Sequence, residues 1–211
     1  MRVIGGEFRS RRLVSPPGLD TRPTPDRLRE TLFNILAPRI EGAVFVDLYA
    51  GTGAVGIEAL SRGASRVIFV ERGHAAVEAI RENVRSLGAT ARAEIRQGKV
   101  SAMIDRVIDP LQPVIVFLDP PYDAEQEYET AFEKLAAIFA DRPATDDVPP
   151  ELDAGLITGQ KPARLAGQRP ALVVTQHSTR LALKEAYGPL RRTRVLKQGD
   201  NALSFYEVPL A

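Results

Sequence analysis

The 211-residue chain has no cysteine and only two histidines, His74 and His177. Disulfides and thiolate zinc sites are thereby excluded, a histidine-rich metal centre is out of reach, and no metal is expected. No run approaches the roughly 20 consecutive apolar residues of a membrane span. The opening MRVIGGEFRS lacks the apolar stretch of a secretory signal. These absences predict a soluble cytoplasmic protein with no membrane partner, and a monomer is expected.

At 44% hydrophobic, the chain has enough apolar residues for one sizeable core. Its net charge of +1 hides an uneven distribution. Met1 to Arg12 carries Arg2, Arg9, Arg11 and Arg12 against Glu7. Arg180 to Lys197 carries Arg180, Lys184, Arg191, Arg192, Arg194 and Lys197 against Glu185. Two basic segments on a near-neutral protein suggest a polyanion bound on one face. A merely solvated surface is the competing explanation.

Residues 1–24 form a basic arm in which Arg2–Ile4 and Arg12–Val14 are extended and Gly5-Gly6 turns or bulges between them. Residues 25–211 form the main domain. A helix is expected to follow Thr24 as N-cap, with Pro25 as its first residue and Asp26 in its first turn. Strands then alternate with helices. Strands are expected at Val44–Asp47, Arg66–Glu71, Ala91–Arg96, Val114–Leu118 and Ala171–Thr175. Helices are expected near Ala54–Arg62, Ala75–Leu87, Val100–Ile108 and Glu125–Ala140. Two further strands, near Thr193–Leu196 and Leu203–Val208, are close enough to form a hairpin. Continuous apolar strands with intervening helices indicate a mostly parallel sheet in an α/β sandwich, with an antiparallel C-terminal edge. Asp141 to Pro170 holds five prolines and is expected to be a mobile insertion.

The first site candidate is Asp47-Leu48-Tyr49-Ala50-Gly51-Thr52-Gly53, which joins the first strand to its helix. With Gly56 it spells G-x-G-x-x-G, and Glu71 follows Gly51 by 20 residues at a strand end. That pattern fits a dinucleotide site, the acid holding ribose hydroxyls. A carboxylate at Asp47 would repel a pyrophosphate. It would instead attract the sulfonium and ammonium of S-adenosylmethionine, directly or through a water.

The second is Asp119-Pro120-Pro121-Tyr122, at the end of another strand. Neither proline has an N–H, and each restricts its predecessor to extended backbone. The corner offers the Asp119 carboxylate and the Pro120 carbonyl, two acceptors suited to an –NH2 group. Tyr122 offers a face on which a base can stack. Hydrogen bonds from an exocyclic amine to these acceptors would restore density to its nitrogen and aim its lone pair at a methyl donor. A paired or stacked base would have to be flipped out. His74 is expected at the surface, and His177 in a structural role.

These motifs, with the opening MRVIGGEFRSRRL, the segment TRPTPDRLRETLFNIL, DLYAGTGAVGIEALSRGA and the closing GDNALSFYE, resemble the RsmD-type methyltransferases. That family modifies a guanine N2 in small-subunit (16S) ribosomal RNA. The resemblance implies a Rossmann-like S-adenosylmethionine-dependent methyltransferase domain with a small N-terminal hairpin for RNA. It implies a substrate within a partly assembled small subunit. It assigns Asp47, Tyr49, Gly51, Thr52, Gly53, Glu71 and Arg72 to the cofactor, and Asp119, Pro120 and Tyr122 to the reacting base. Arg9, Arg11 and Arg12 of the hairpin would meet RNA phosphates, and Arg22 and Thr24, in the TRPT turn, would lie near the cofactor and the RNA entrance. This chain departs from the family's pattern at three positions, and its Asp141–Pro170 insertion is longer than the family leads one to expect. Gln97-Gly98-Lys99 lacks the acid that usually helps hold adenine, Gln176 stands where an acid is usual, and Gln198 stands where a tyrosine is usual. The alternatives are an adenine-N6 nucleic-acid methyltransferase, a non-catalytic RNA-binding assembly factor, and a nicotinamide oxidoreductase, the last disfavoured by Asp47.

Overall fold

A computed structural model describes residues 1–15, 25–109, 114–121, 125–140 and 171–208. Five segments become parallel strands: β1 (Val44–Leu48), β2 (Arg66–Glu71), β3 (Ala93–Gln97), β4 (Val114–Leu118) and β5 (Leu172–Ser178). The tail adds β6 (Ala186–Tyr187), β7 (Leu190–Gln198) and β8 (Asn201–Glu207), all antiparallel. The sheet order is β3-β2-β1-β4-β5-β8-β7-β6.

Both faces of this sheet are covered, which is why its central strands read as unbroken apolar runs. Phe45, Phe69, Phe117 and Val174 face one core with α1 (Asp26–Ile40), α2 (Ala54–Ser61) and α3 (His74–Ser86). Val46, Leu48, Val70, Val116 and Leu118 face the other, with α4 (Val100–Val107) and α5 (Glu125–Ala140). The α5 stripe Tyr128, Phe132, Leu135 and Phe139 is buried as its spacing predicts.

Several boundaries differ from expectation. Pro25 is extended (φ −54°, ψ 139°), so it precedes α1 and its carbonyl accepts the N–H groups of Leu28 and Arg29. The expected Thr24 cap lies outside the described residues, as does the 141–170 insertion. Strand β3 starts at Ala93 because Thr90–Arg92 closes a 3₁₀ turn. Strand β5 runs on to Ser178, because β8 pairs along all of it and supplies backbone partners that the polar Gln176-His177 gave no reason to expect.

The N-terminal hairpin forms around an Arg2–Arg12 bridge. Val3, Phe8 and Leu13 enter the same core as α1, α2 and α3. A buried polar network fastens it there. The Glu58 carboxylate of α2, fully buried, accepts the N–H groups of Ile4 (2.8 Å) and Gly5 (2.9 Å) and pairs with Arg62 Nε (2.8 Å). Arg29, also fully buried, lies 4.0 Å from Glu58 and donates to the Arg2 carbonyl (2.7 Å). Asn83 of α3 takes the Val14 N–H at 2.7 Å and gives an N–H to the Val14 carbonyl at 3.1 Å. The tip is tied lower down, where Glu7 N–H meets the Ser61 carbonyl at 2.7 Å. Ser61 ends α2, and crossover helices run against their strands. The tip therefore lies toward the amino-terminal end of the sheet.

Candidate active site

The carboxyl ends of β1, β2 and β4 meet on one rim. Leu48 is in register with Val70 on one side and with Leu118 on the other. From this point the chain order runs outward in both directions across the sheet, so β1/β4 is the topological switch point where α/β proteins bind ligands. The glycine turn and Asp119-Pro120 leave adjacent strands here.

The turn needs unusual backbone. Tyr49 (φ 64°), Gly51 (φ 55°) and Gly53 (φ 79°) are all left-handed, and Gly53 N–H closes on the Ala50 carbonyl at 2.8 Å. The strained Tyr49 is held by its hydroxyl, which donates to Glu127 Oε2 of α5 at 2.7 Å. Burial and the neighbouring Glu127 carboxylate raise its phenol pKa. The glycines have separate tasks. A Cβ at Gly56 would sit 2.3 Å from the Phe69 ring, so that glycine lets α2 lie against β2. A Cβ on Gly51 would meet no atom within 4 Å, so its open side faces free space on the rim.

Glu71, half-buried at the end of β2, clamps the turn. One oxygen accepts the Gly51 N–H at 2.8 Å and the other the Gly73 N–H at 2.7 Å. Each oxygen keeps a second lone pair for a hydroxyl. Thr52 is buried, and its carbonyl accepts an N–H from Asn83 at 3.3 Å. Arg72 is exposed beside Glu71.

Asp47 is more deeply placed than the sequence suggests. It is 2% exposed, and Oδ2 accepts the Gly56 N–H at 2.8 Å. It thus satisfies one of the free donors at the start of α2. Burial pushes its pKa up to about 8, against the Gly56 hydrogen bond, with smaller upward contributions from Asp119 and Glu71. The charge argument shifts accordingly. Asp47 alone does not present a fixed anion near neutrality, but the carboxyls of Asp119 and Glu71 lie close enough to act on it. The α2 donor at Gly56 is already taken by a carboxyl of the chain, which disfavours an anionic pyrophosphate at that position.

Asp119 is half-buried, Pro120 buried and Pro121 exposed. The corner presents acceptors, since Pro120 and Pro121 lack N–H groups. Tyr122 lies outside the described residues, as do Arg22 and Thr24.

Of the arginines assigned to RNA, Arg9, Arg11 and Arg12 are exposed on the hairpin, and Arg11 donates to the Ser86 carbonyl at 3.0 Å. The second basic segment lies on β7 and the loop after β5, toward the other edge of the sheet. The hairpin packs instead against α1, α2 and α3, with Glu7 and Arg11 bonded at the carboxyl ends of α2 and α3. His74 is exposed at the start of α3. His177 is buried within β5 and bonded to Ser204 Oγ and the Ser178 carbonyl, both at 2.8 Å. Two residues near the site were not anticipated in these roles. Glu127 had no local signal. Gln176 was noted only as a departure from a family pattern, yet it is buried beside Asp119.

Residues 1–142 match the protein family described as Conserved hypothetical protein 95. YlbH of Bacillus subtilis (strain 168), named as a candidate rRNA methyltransferase, is 36% identical over 127 residues, 60% of this chain and 69% of that protein. Ribosomal RNA small subunit methyltransferase D of Escherichia coli (strain K12) is 40% identical over 122 residues, 58% of this chain and 60% of that protein. The solved structure of the Escherichia coli protein yhhF superposes with a TM-score of 0.73 at 29% identity, covering 100% of this chain and 99% of that one. The order of strands, the turn after β1 and these relatives agree: the chain belongs to the RsmD-type family of methyltransferases.

Proposed function

We propose that the protein transfers a methyl group from S-adenosylmethionine to the exocyclic N2 amine of a guanine in small-subunit ribosomal RNA. The observation that carries this is the register of β1 with β4, which sets the open glycine turn beside Asp119-Pro120. The residues present fit the cofactor. Glu71 has lone pairs for ribose hydroxyls, Gly51 leaves backbone open to a ligand, and the acids favour a cation. Met103 packs close to Gly98, near where an adenine following β3 would lie.

When bound, S-adenosylmethionine supplies an electrophilic methyl carbon on a sulfonium. Asp119 and the Pro120 carbonyl each accept one N–H of the amine, which raises the electron density on nitrogen and fixes its direction. Orientation of this kind supplies much of the rate in a displacement between two held partners. As the nitrogen gains carbon it must shed one proton, and the hydrogen bond to Asp119 is the path for it. The target base is unstacked to reach the rim, with Tyr122 as its stacking surface. Arg9, Arg11 and Arg12 hold phosphates, with Arg22 and Thr24 near the RNA entrance. They set the position of the RNA without choosing its sequence. The substrate is RNA in a partly assembled small subunit, in the cytoplasm, with the protein acting as a monomer.

The test is transfer of labelled methyl onto RNA of immature small subunits, followed by nucleoside identification. Wild type should yield N2-methylguanine, and Asp119→Ala should lose about a thousandfold in rate. Methyladenine as the product would make this an adenine-N6 enzyme. RNA binding and cellular role intact in Asp119→Ala, with no transfer by wild type, would make it an assembly factor.

A further inference from the structure

We infer that Gln176 is a specificity residue that accepts a hydrogen bond from the N1–H of the target guanine. The inference rests on the proposed function and adds how guanine is told apart from other amino-bearing bases.

Gln176 is 1% exposed, and its side-chain oxygen Oε1 is buried with no hydrogen-bond partner. Native proteins rarely leave a buried acceptor unmade, so each exception calls for a reason, and a group supplied by a ligand is one. The position of this one is informative. Thr175 is in register with Leu118, so Gln176 stands level with Asp119 on the neighbouring strand. Gln176 also pairs with Leu203, whose side chain belongs to the core shared with α1, α2 and α3. Asp119 follows Leu118, which faces the opposite core, so the two side chains leave the sheet on the same side. Neighbouring strands lie about 4.8 Å apart. The residue that carries this acceptor therefore stands about one strand spacing from Asp119 of the proposed amine clamp. Across the β5 backbone the strand is well anchored, because Tyr128 donates its hydroxyl to the Gln176 carbonyl at 3.0 Å. The side-chain oxygen has no such partner.

The chemistry of the base decides what it suits. On guanine, the atom beside the reacting amine is N1, which carries a hydrogen. On adenine, 2-aminopurine and 2,6-diaminopurine, N1 is a bare acceptor. An acceptor beside the clamp completes a bond with guanine and faces an acceptor in the other three. A site built to bond a substrate N–H discriminates against analogues that lack it, because its own polar group is then left unpaired. The acid usual at this position in the family's pattern and the glutamine here share this capacity to accept.

The experiment uses the full-length protein and small-subunit RNA. The guanine methylated by wild type is first located. Ligated RNAs are then prepared with guanine or 2-aminopurine at that nucleotide, and kcat/KM is measured on each. 2-Aminopurine keeps the reacting amine and loses N1–H. The wild-type preference for guanine should be about tenfold or more, the value of one hydrogen bond. Gln176→Leu should bring the ratio to near one. Gln176→Glu, which keeps an acceptor, should retain it. Comparing ratios between variants cancels any difference in the ease of unstacking the two bases. A thermal midpoint of Gln176→Leu at or above wild type shows that the loss is not misfolding. A ratio near one in wild type, or one unchanged in Gln176→Leu, overturns the inference while N2 methylation still stands. No transfer to guanine by wild type overturns the proposed function, and this inference with it.

Discussion

Replacing Glu58 by alanine should loosen the N-terminal hairpin and destabilise the whole fold. The carboxylate is fully buried and has three direct partners: the Ile4 and Gly5 N–H groups and Arg62, at 2.8 to 2.9 Å. It is also the buried counter-charge of Arg29, which is itself fully buried, has Nε and Nη1 without hydrogen bonds and, among the described residues, otherwise pairs only with the half-exposed Asp26 at 3.0 Å. Burial already lowers the Arg29 pKa, a pull that Glu58 opposes. Removing one member of a buried pair costs about 3–5 kcal/mol, because the other charge stays behind. The two backbone donors are half-buried, so water recovers part of their loss and adds little to that range. For a domain of this size each kcal/mol lowers the thermal midpoint by roughly 2–4 °C, so a fall of about 6–20 °C is expected. Differential scanning calorimetry gives the midpoint, and limited proteolysis reports whether the first 15 residues become cleavable. Arg29→Met combined with Glu58→Ala should cost less than the two changes summed, since no lone buried charge remains. A midpoint within about 3 °C of wild type, with the hairpin still protected, would refute the claim that this carboxylate holds the arm.

Three other measurements probe the rim. The Asp47 carboxyl binds its proton more tightly folded, with a pKa of about 8, than at its ordinary value of 3.8. Its contribution to stability is therefore full below about pH 4, declines as pH rises toward 8 and is level above that. The slope is at most about 1.4 kcal/mol per pH unit. Urea unfolding of wild type and Asp47→Asn between pH 5 and 8 should show a steeper decline in wild type; equal slopes would count against burial as the cause. Gly56→Ala drives a methyl into the Phe69 ring and should cost about 1–3 kcal/mol by calorimetry. Gly51→Ala meets no neighbour, so it should lose only the roughly 1–2 kcal/mol of a left-handed alanine while weakening S-adenosylhomocysteine in a calorimetric titration.

The parts of the fold visible in the sequence are those whose burial is one-dimensional. Strands β1, β2 and β4 are apolar along their length because both faces are covered, and α5 shows its stripe directly. Strand β7 was seen only at its middle, because Arg191, Arg192 and Arg194 leave it no apolar pattern, and pairing with β8 defines it. The two-residue β6 carries no periodic signal at all. At the site, the turn and the Asp119-Pro120 corner were legible because their backbone demands specific residue types. The depth of Asp47 was not, since a carboxylate at a strand tip reads the same whether it faces solvent or the start of the next helix. The Glu58 network was hidden as well. An acid between Ile57 and Ala59 in an otherwise apolar helix was its only trace, and its backbone partners in the hairpin are 53 and 54 residues away.

The docking of the hairpin tip beside Ser61 has a consequence for how a long polymer is measured. Helix α2, eight residues and about 12 Å long, separates that anchorage from the glycine turn and is buried throughout, so the spacing is that of a solid strut. On the proposed function, a nucleic acid resting on Arg9 would be held at a set stand-off from the place where a base would react. Strands whose contour does not match that gap would be refused by length alone, before any base is inspected.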